Sequence, residues 1–287
     1  MKIYSVHSHK GGVGKTTFSL FLSKYLAQVK KEKTCLLDMD FQAQGLRSTY
    51  LRENLEYDFS DFLLADGKRK KEIAGQIAVK HGEINNLYFI ANLFKPREDI
   101  KSQQYILRKV YLKVVNEIYT GEITDSLDEL KEYLKKDGFK NIIIDDHPGL
   151  VLLSEEIIKN INSTPVFITT QDIASLVGLF KNILGRADVW RVALSELKII
   201  LNRVPVNFTL NEFHNALATF IDSNEAAEDE KLICSEIKKR FLSGENRLMF
   251  IPENEEIRQM DTLINPRTLL DIDIPGDLRN VLEQILC

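Results

Sequence analysis

The densest chemistry in the chain lies in His9-Lys10-Gly11-Gly12-Val13-Gly14-Lys15-Thr16-Thr17. The glycines let the backbone fold tightly, so that successive N–H groups can point at phosphate oxygens. A helix starting directly after such a turn adds the partial positive charge of its N-terminus. In this pattern Lys15 contacts the β- and γ-phosphates of a nucleotide, and the Thr16 hydroxyl completes the coordination of a magnesium ion. Gly11, Gly12, Val13, Gly14, Lys15, Thr16 and Thr17 thus form a candidate phosphate cradle. The bland alternative is a glycine turn that merely joins two elements, and the terminal Gly-Lys-Thr argues against it.

Two acidic clusters could serve the same ligand. Ile142-Ile143-Ile144-Asp145 describes a buried strand that presents one carboxylate, Asp145, to magnesium or its water shell. Asp38-Met39-Asp40 also follows an apolar run, although acidic residues after a strand are common turn-formers and weak evidence alone. The three cysteines, Cys35, Cys234 and Cys287, are far apart and form no CxxC pair, which argues against a disulfide framework, a zinc site or a bridged cluster.

These groups need a frame to hold them. The apolar stretch from Lys2 to Ser8 reads as a short buried strand, and Phe18, Leu22, Tyr25, Leu26 and Val29 recur at helical spacing. Thr34 to Leu37 then reads as a second strand ending on Asp38, which makes a right-handed crossover unit of a parallel sheet. Asn86 to Ala91, Asn141 to Ile144, Pro165 to Thr169, Leu197 to Leu201 and Met249 to Ile251 read as further strands. Helical patterns fall between them, over Gln103 to Tyr119, Ser126 to Lys136, Ser154 to Asn160, Leu176 to Arg186, Asn211 to Phe220 and Glu228 to Phe241. The expected fold is α/β, a doubly wound, mostly parallel sheet flanked by helices. With no internal repeat and no low-complexity linker, residues 1–287 read as one domain with a helix-rich middle at about 47–136.

The Lys-Gly-Gly-x-Gly-Lys-Thr form departs from the ordinary phosphate loop, because position 9 is His where glycine is usual and Lys10 precedes the paired glycines. It resembles the deviant Walker A loop of the ParA/MinD partition ATPase family, within the larger class that includes the nitrogenase iron protein. The resemblance implies that ATP and Mg2+ are bound, that Lys10 crosses a dimer interface to the partner's nucleotide, and that two protomers close on ATP. It implies that Asp40 orients or activates the attacking water and that Asp38 supports magnesium through water, with Asp38 to Gln42 matching the family's first switch. Phe41 stands where many relatives have proline. Asp145 to Gly149 resembles the second switch, with Asp146 and His147 as departures, and His147 is read as a substituted switch residue rather than a catalytic base. The resemblance further implies that Asn202 contacts adenine and that the loop containing Pro252 closes over the base. It spans residue 1 to the region of Asn254, with the stretch from Arg47 to Lys136 matching in pattern more than in residues.

A net charge of −4 and a pI near 5.8 do not suggest wholesale coating of nucleic acid, and they leave room for a local basic patch. Lys238-Lys239-Arg240 with Arg247, and Lys68-Arg69-Lys70-Lys71, are the candidate patches for DNA bound without sequence preference. A partition ATPase working with a stimulating adaptor protein is the leading reading. A membrane-positioning relative of the MinD type would need a basic amphipathic tail, and Leu278 to Cys287 holds one basic and one acidic residue, so a core-packing last helix is expected. The missing CxxC and the missing tyrosine cluster argue against cluster carriers and tyrosine kinases. No signal-like start and no apolar run of spanning length are present, so the expected compartment is the cytoplasm, with nucleoid association if DNA is bound.

Overall fold

In chain order the computed structural model contains β1 (Lys2–His7), α1 (Lys15–Gln28), β2 (Thr34–Asp38), α2 (Phe59–Leu64), α3 (Gly67–Ala74), β3 (Val79–Lys80), β4 (Leu87–Ile90) and α4 (Glu122–Lys136). β5 (Asn141–Asp145), β6 (Thr164–Thr170), α5 (Ile173–Leu184), β7 (Lys198–Val204), α6 (Leu210–Asp222), β8 (Leu248–Pro252), α7 (Arg267–Asp271) and α8 (Gly276–Leu286) follow. The structure describes residues 1–40, 56–92, 122–149, 154, 157–159, 161–184, 198–222, 228, 231–232, 234–235, 239, 248–257 and 267–286. The helix expected over Gln103 to Tyr119, most of that expected over Glu228 to Phe241, and much of the middle stretch lie outside the described residues. So do Lys238, Arg240 and Arg247.

The strands form one eight-stranded sheet in the order β3-β4-β2-β5-β1-β6-β7-β8. Every neighbouring pair is parallel except β3 with β4. Parallel strands are covered on both faces, which is why β2 and β5 are buried along their whole length. β1 sits between β5 and β6, so the loops leaving β1, β2, β5, β7 and β8 all open at the carboxyl edge of the sheet. That edge is where ligands bind in open α/β sheets.

Alternation along the strands divides the core. Tyr4, Val6, Leu36 and Ile143 join α1, α7 and α8 on one face, through Phe18, Phe21, Leu269, Leu278 and Leu282. Ile3, Cys35, Leu37, Ile142 and Ile144 join α2, α3 and α4 on the other. A third cluster packs α5 and α6 against β6 and β7, through Phe167, Phe180, Ile199, Leu201 and Phe213. α1 is buried nearly all round because α8 closes over it. Tyr25 donates its hydroxyl proton to Glu283 at 2.9 Å, and the Lys24 ammonium donates to the carbonyls of Leu270 and Ile272. Burial pushes the Lys24 pKa below its ordinary value, against the opposing charges of Asp273 and Asp271.

The last helix is amphipathic as expected, and Leu278, Val281, Leu282 and Ile285 are buried in the core. Four elements went unexpected. β3 has two residues, too few to show a period, and pairs antiparallel at the sheet edge. α2 is announced by a reciprocal cap, Asp58 accepting from the Asp61 N–H and Asp61 accepting from the Asp58 N–H. α3 and α7 are eight and five residues long, short of two clear turns of pattern in the second case. Among the described residues no helix is long and apolar enough to cross a membrane. Leu282→Ala should cost about 2–5 kcal/mol, because the Leu282 side chain is wholly buried and neighbours can collapse only in part. Denaturant unfolding with a lowered midpoint and an unchanged slope is the expected result.

Candidate nucleotide site

Residues 8 to 14 link β1 to α1 as a turn, with Gly12 at φ 77° and Gly14 at φ 92°, the left-handed region that favours glycine. Gly14 is also the residue that caps α1 and, being glycine, it offers no side chain to the helix N-terminus. A cap without a side chain leaves that end of the helix to backbone donors, the arrangement an anion site uses. A side chain at Gly14 would collide with Asn202, whose Nδ2 stands where an added Cβ would need room. In the structure Asn202 Nδ2 donates to the Val13 carbonyl at 2.8 Å, tying β7 to the loop.

His9 explains the departure at its position. Its ring lies against Gly178 of α5, where a side chain would collide with it, and Asn182 Nδ2 is 2.9 Å from His9 Nδ1. The loop is thus anchored by a side chain to the helix after β6. Lys10 is exposed. Asp172 is held below the usual carboxylate range chiefly by the Ser175 hydroxyl at 2.7 Å, against some opposing burial, and the nearby charge of Lys10 contributes.

Below the loop, one carboxylate gathers the predicted cation and magnesium ligands. Asp145 accepts from Lys15 Nζ at 2.8 Å and from the Thr16 hydroxyl at 2.7 Å, with the Ser19 hydroxyl at 3.1 Å. Burial by itself lowers the Lys15 pKa, but Asp145, with Asp146 and Asp40 behind it, raises it above the ordinary value, so the ammonium stays charged. Asp38 is the register partner of Asp145 on the neighbouring strand. Its Oδ1 accepts the Asp40 N–H at 2.9 Å, while its Oδ2 is buried with no hydrogen-bond partner. Burial, and then repulsion from Asp145, push the Asp38 carboxyl up to about 7. Asp40 is buried at the same edge.

Magnesium fits this arrangement. The donors are hard oxygens, carboxylates outnumber the buried lysine, and one of their oxygens is unpartnered. Among the described residues no three histidine, cysteine or carboxylate side chains converge as a metal cage. Magnesium does not need one, since it is commonly held by one or two protein groups together with substrate phosphates.

A cleft opens beside the loop, lined by Gly14, Thr17, Asn202, Arg203, Pro252 and Ile257 among others. Asn202 and Pro252, predicted to meet a base, are therefore brought to the phosphate loop. Sequence reasoning missed Arg203, Phe18, Phe21 and Leu278 as lining residues. Phe18 and Leu278 read simply as core positions. Arg203 stands at a register irregularity between Asn202 and Val204, at φ 59°, which no local pattern announces. His147 does not meet the carboxylates of the site in any bond the structure describes. Its Nδ1 lies 2.5 Å from the Pro148 carbonyl, and its Nε2 is buried without a partner.

A glycine cradle at the start of a buried helix, with a lysine, a threonine and strand-end carboxylates beneath it, defines a P-loop nucleotide-binding protein. The CobQ/CobB/MinD/ParA nucleotide binding domain matches residues 4–261, and the chain belongs to that family, whose ParA and MinD members are ATPases. The uncharacterised protein BBD21 of Borreliella burgdorferi is 27% identical over 274 residues, covering 92% of this chain and 98% of that one. The virulence plasmid ParA family protein pGP5-D of Chlamydia psittaci is 24% identical over 245 residues, covering 83% and 81%. A candidate plasmid partition protein of Borrelia burgdorferi, solved bound to AMPPNP, shares the fold with a TM-score of 0.58 at 19% identity, covering 99% and 96%.

Gly14→Ala should be costly to the fold itself, because its φ and the nearness of Asn202 oppose any side chain there. The expected loss is about 1–3 kcal/mol, read as a lowered thermal midpoint, with ATP affinity weakened about tenfold or more. Gly11 has neither a positive φ nor a neighbour within 4 Å, so Gly11→Ala should leave the midpoint unchanged.

Proposed function

We propose that this chain is an ATP-dependent dimerising switch ATPase, residues 1–287 acting as one unit, that partitions plasmid or chromosomal DNA. It binds DNA without sequence preference and is triggered by a stimulating partner protein. The observation that carries the reading is the contrast within one loop: Lys15 is buried on Asp145, while Lys10, five residues earlier, is exposed. A buried lysine can serve the nucleotide of its own chain, and an exposed one at the same loop is available to a partner's.

Within the chain Lys15 and Thr16 spend their bonds on Asp145. Binding ATP exchanges that internal pairing for phosphate contacts from Lys15 and from the N–H groups of Gly11 to Thr17. Thr16 and Asp145 would hold magnesium, with Asp38 supporting through water. When bound, the ion neutralises charge on the transferring phosphoryl group. Asp40 orients the attacking water and draws its proton. Lys10 of the facing protomer stabilises the charge that develops on the phosphoryl oxygens, much as an arginine finger does. Asn202 and Pro252 hold the adenine. Slow basal turnover is expected, with the partner protein completing the arrangement.

The partition reading is supported by relatives described by plasmid origin or partition. It is supported too by α8, which spends its apolar face on the core rather than offering it to a membrane. Of the described basic patch, Lys68, Arg69 and Lys71 are exposed on α3, while Lys70 turns inward to Ser126, Glu129 and the Phe62 ring. The cytoplasm, at the nucleoid, is the corresponding place of action.

Sizing with ATP against ADP tests the switch. Lys10→Ala should bind ATP within about threefold of the parent yet remain a monomer, whereas Lys15→Ala should lose both binding and dimerisation. Dimerisation unchanged in Lys10→Ala sinks the trans-acting lysine. Asp40→Ala should hold the ATP dimer while turnover falls by about 10²–10⁴. Binding to random duplex DNA should require ATP and weaken steeply with salt. Removing the three exposed charges of α3 should lower the log–log salt slope by about 0.9 for each phosphate that is no longer neutralised.

A further inference from the structure

Across the sheet from the Asp145 cluster lies a second polar network that the nucleotide site does not use. Side chains alternate at the strand ends, so Asp145 faces the loop and α1 while Asp146 faces the other way. His7 Nδ1 is 2.8 Å from Asp146 Oδ2, and the Ser154 hydroxyl donates to the same oxygen. His7 Nε2 is 2.7 Å from the Ser5 hydroxyl, which lies 2.7 Å from that of Ser163. The Phe167 ring stands 5.5 Å from the imidazole. His7, Asp146, Ser5 and Ser154 are fully buried.

Burying a carboxylate, an imidazole and hydroxyls inside a parallel sheet costs desolvation that apolar side chains would avoid. Burial by itself would raise the Asp146 pKa, yet the bond and charge of His7, with the Ser154 hydroxyl, hold it below the usual value. The network lies at one particular seam, where the end of β1 meets the loop after β5. There the Asp146 N–H donates to the Val6 carbonyl at 3.2 Å and the Gly149 N–H to the Ser8 carbonyl at 2.8 Å. Ser8 opens the phosphate loop, and Asp145, the residue before Asp146, carries the bonds of Lys15 and Thr16. Fixing the Asp146 side chain on His7 therefore fixes the direction in which the adjacent carboxylate points, relative to the loop it serves.

We propose that His7 and Asp146 form a positioning pair that aims Asp145 at magnesium and the nucleotide, with Ser154 fastening the chain beyond the loop to the same carboxylate. The proposal rests on the ATPase reading above, and neither residue touches the reacting atoms. Removing His7 alone would strand a buried charge and unfold the protein for trivial reasons. The informative variant is therefore the double substitution His7→Ala with Asp146→Ala, which removes the imidazole and the carboxylate together; Ser5 keeps its bond to Ser163, while the Ser154 hydroxyl gives up the Asp146 acceptor. His7→Gln is the conservative companion, since its amide can still donate to Asp146.

The test measures binding of a fluorescent ATP analogue with magnesium and with EDTA, alongside turnover and the thermal midpoint. The double variant should keep its magnesium-free affinity within about threefold, lose the magnesium enhancement by about tenfold or more, and lose kcat by a similar factor. His7→Gln should restore both to within about threefold. A double variant with parental magnesium enhancement overturns the proposal, as does one that loses magnesium-free affinity equally, which is what a merely structural role predicts. Absence of turnover in the parent chain would refute the ATPase reading, while the magnesium-to-EDTA affinity ratio would still judge the pair.

Discussion

The nucleotide site is organised by the carboxylate of Asp145. Without it the Lys15 ammonium would be a buried charge with nothing at bonding distance to answer it, a condition proteins avoid at a cost of several kcal/mol. With it, the lysine proposed to meet phosphate is held charged and in place, and the start of α1 is pinned to β5 through Thr16 and Ser19. The same carboxylate burdens its neighbour. Asp38, in register on β2, is pushed up to about 7 by burial and by Asp145, and one of its oxygens has no partner. The side chains of the site thus set one buried cation against several acids, an imbalance that a divalent cation would relieve.

The sheet order makes this geometry available. β1 lies between β5 and β6, so the phosphate loop emerges beside Asp145, and β2, on the far side of β5, brings Asp38 level with it. Alternation then uses both faces of the same strand ends. One face carries the Lys15, Thr16 and Asp145 bonds, and the other carries His7 and Asp146. The two networks are adjacent in sequence at 145 and 146 but lie on opposite faces of the sheet, so a change in one reaches the other through the backbone that joins them and through the charge that Asp146 and Lys15 feel from each other.

Much of this is legible in the amino-acid sequence, because the informative signals are local. Apolar runs ending in aspartate mark β2 and β5, and the glycine pattern marks the loop, since each depends on residues within a few positions. The features that escape depend on residues far apart. His7 reads as one position of a buried strand, and nothing near it points to Asp146, 139 positions away. Asp146 and His9 stand out only as departures from the pattern the loop and second switch resemble. The space left by Gly178 and the bond from Asn182, which explain His9, come from a different helix. The irregularity that exposes Arg203 beside the cleft is set by pairing with β8 rather than by its own neighbours.

The two lysines of the loop differ in their settings, and the proposed function assigns each a different role. Lys15 begins α1 and is enclosed by the sheet beneath it, so its charge is answered from within the chain and its reach is fixed. Lys10 lies before the glycines and is exposed, near enough to Asp172 for its charge to act there. A fixed lysine suits a ligand that always arrives in one place. An exposed lysine keeps most of its rotamer freedom until something orders it, and ordering costs entropy that solvent contact does not repay. In the dimer reading, the partner's nucleotide supplies that compensation, so the reach of Lys10 is favourable only when both protomers are loaded. A lysine that acts only across the interface thereby makes dimer closure depend on nucleotide, which is the property a timed switch requires.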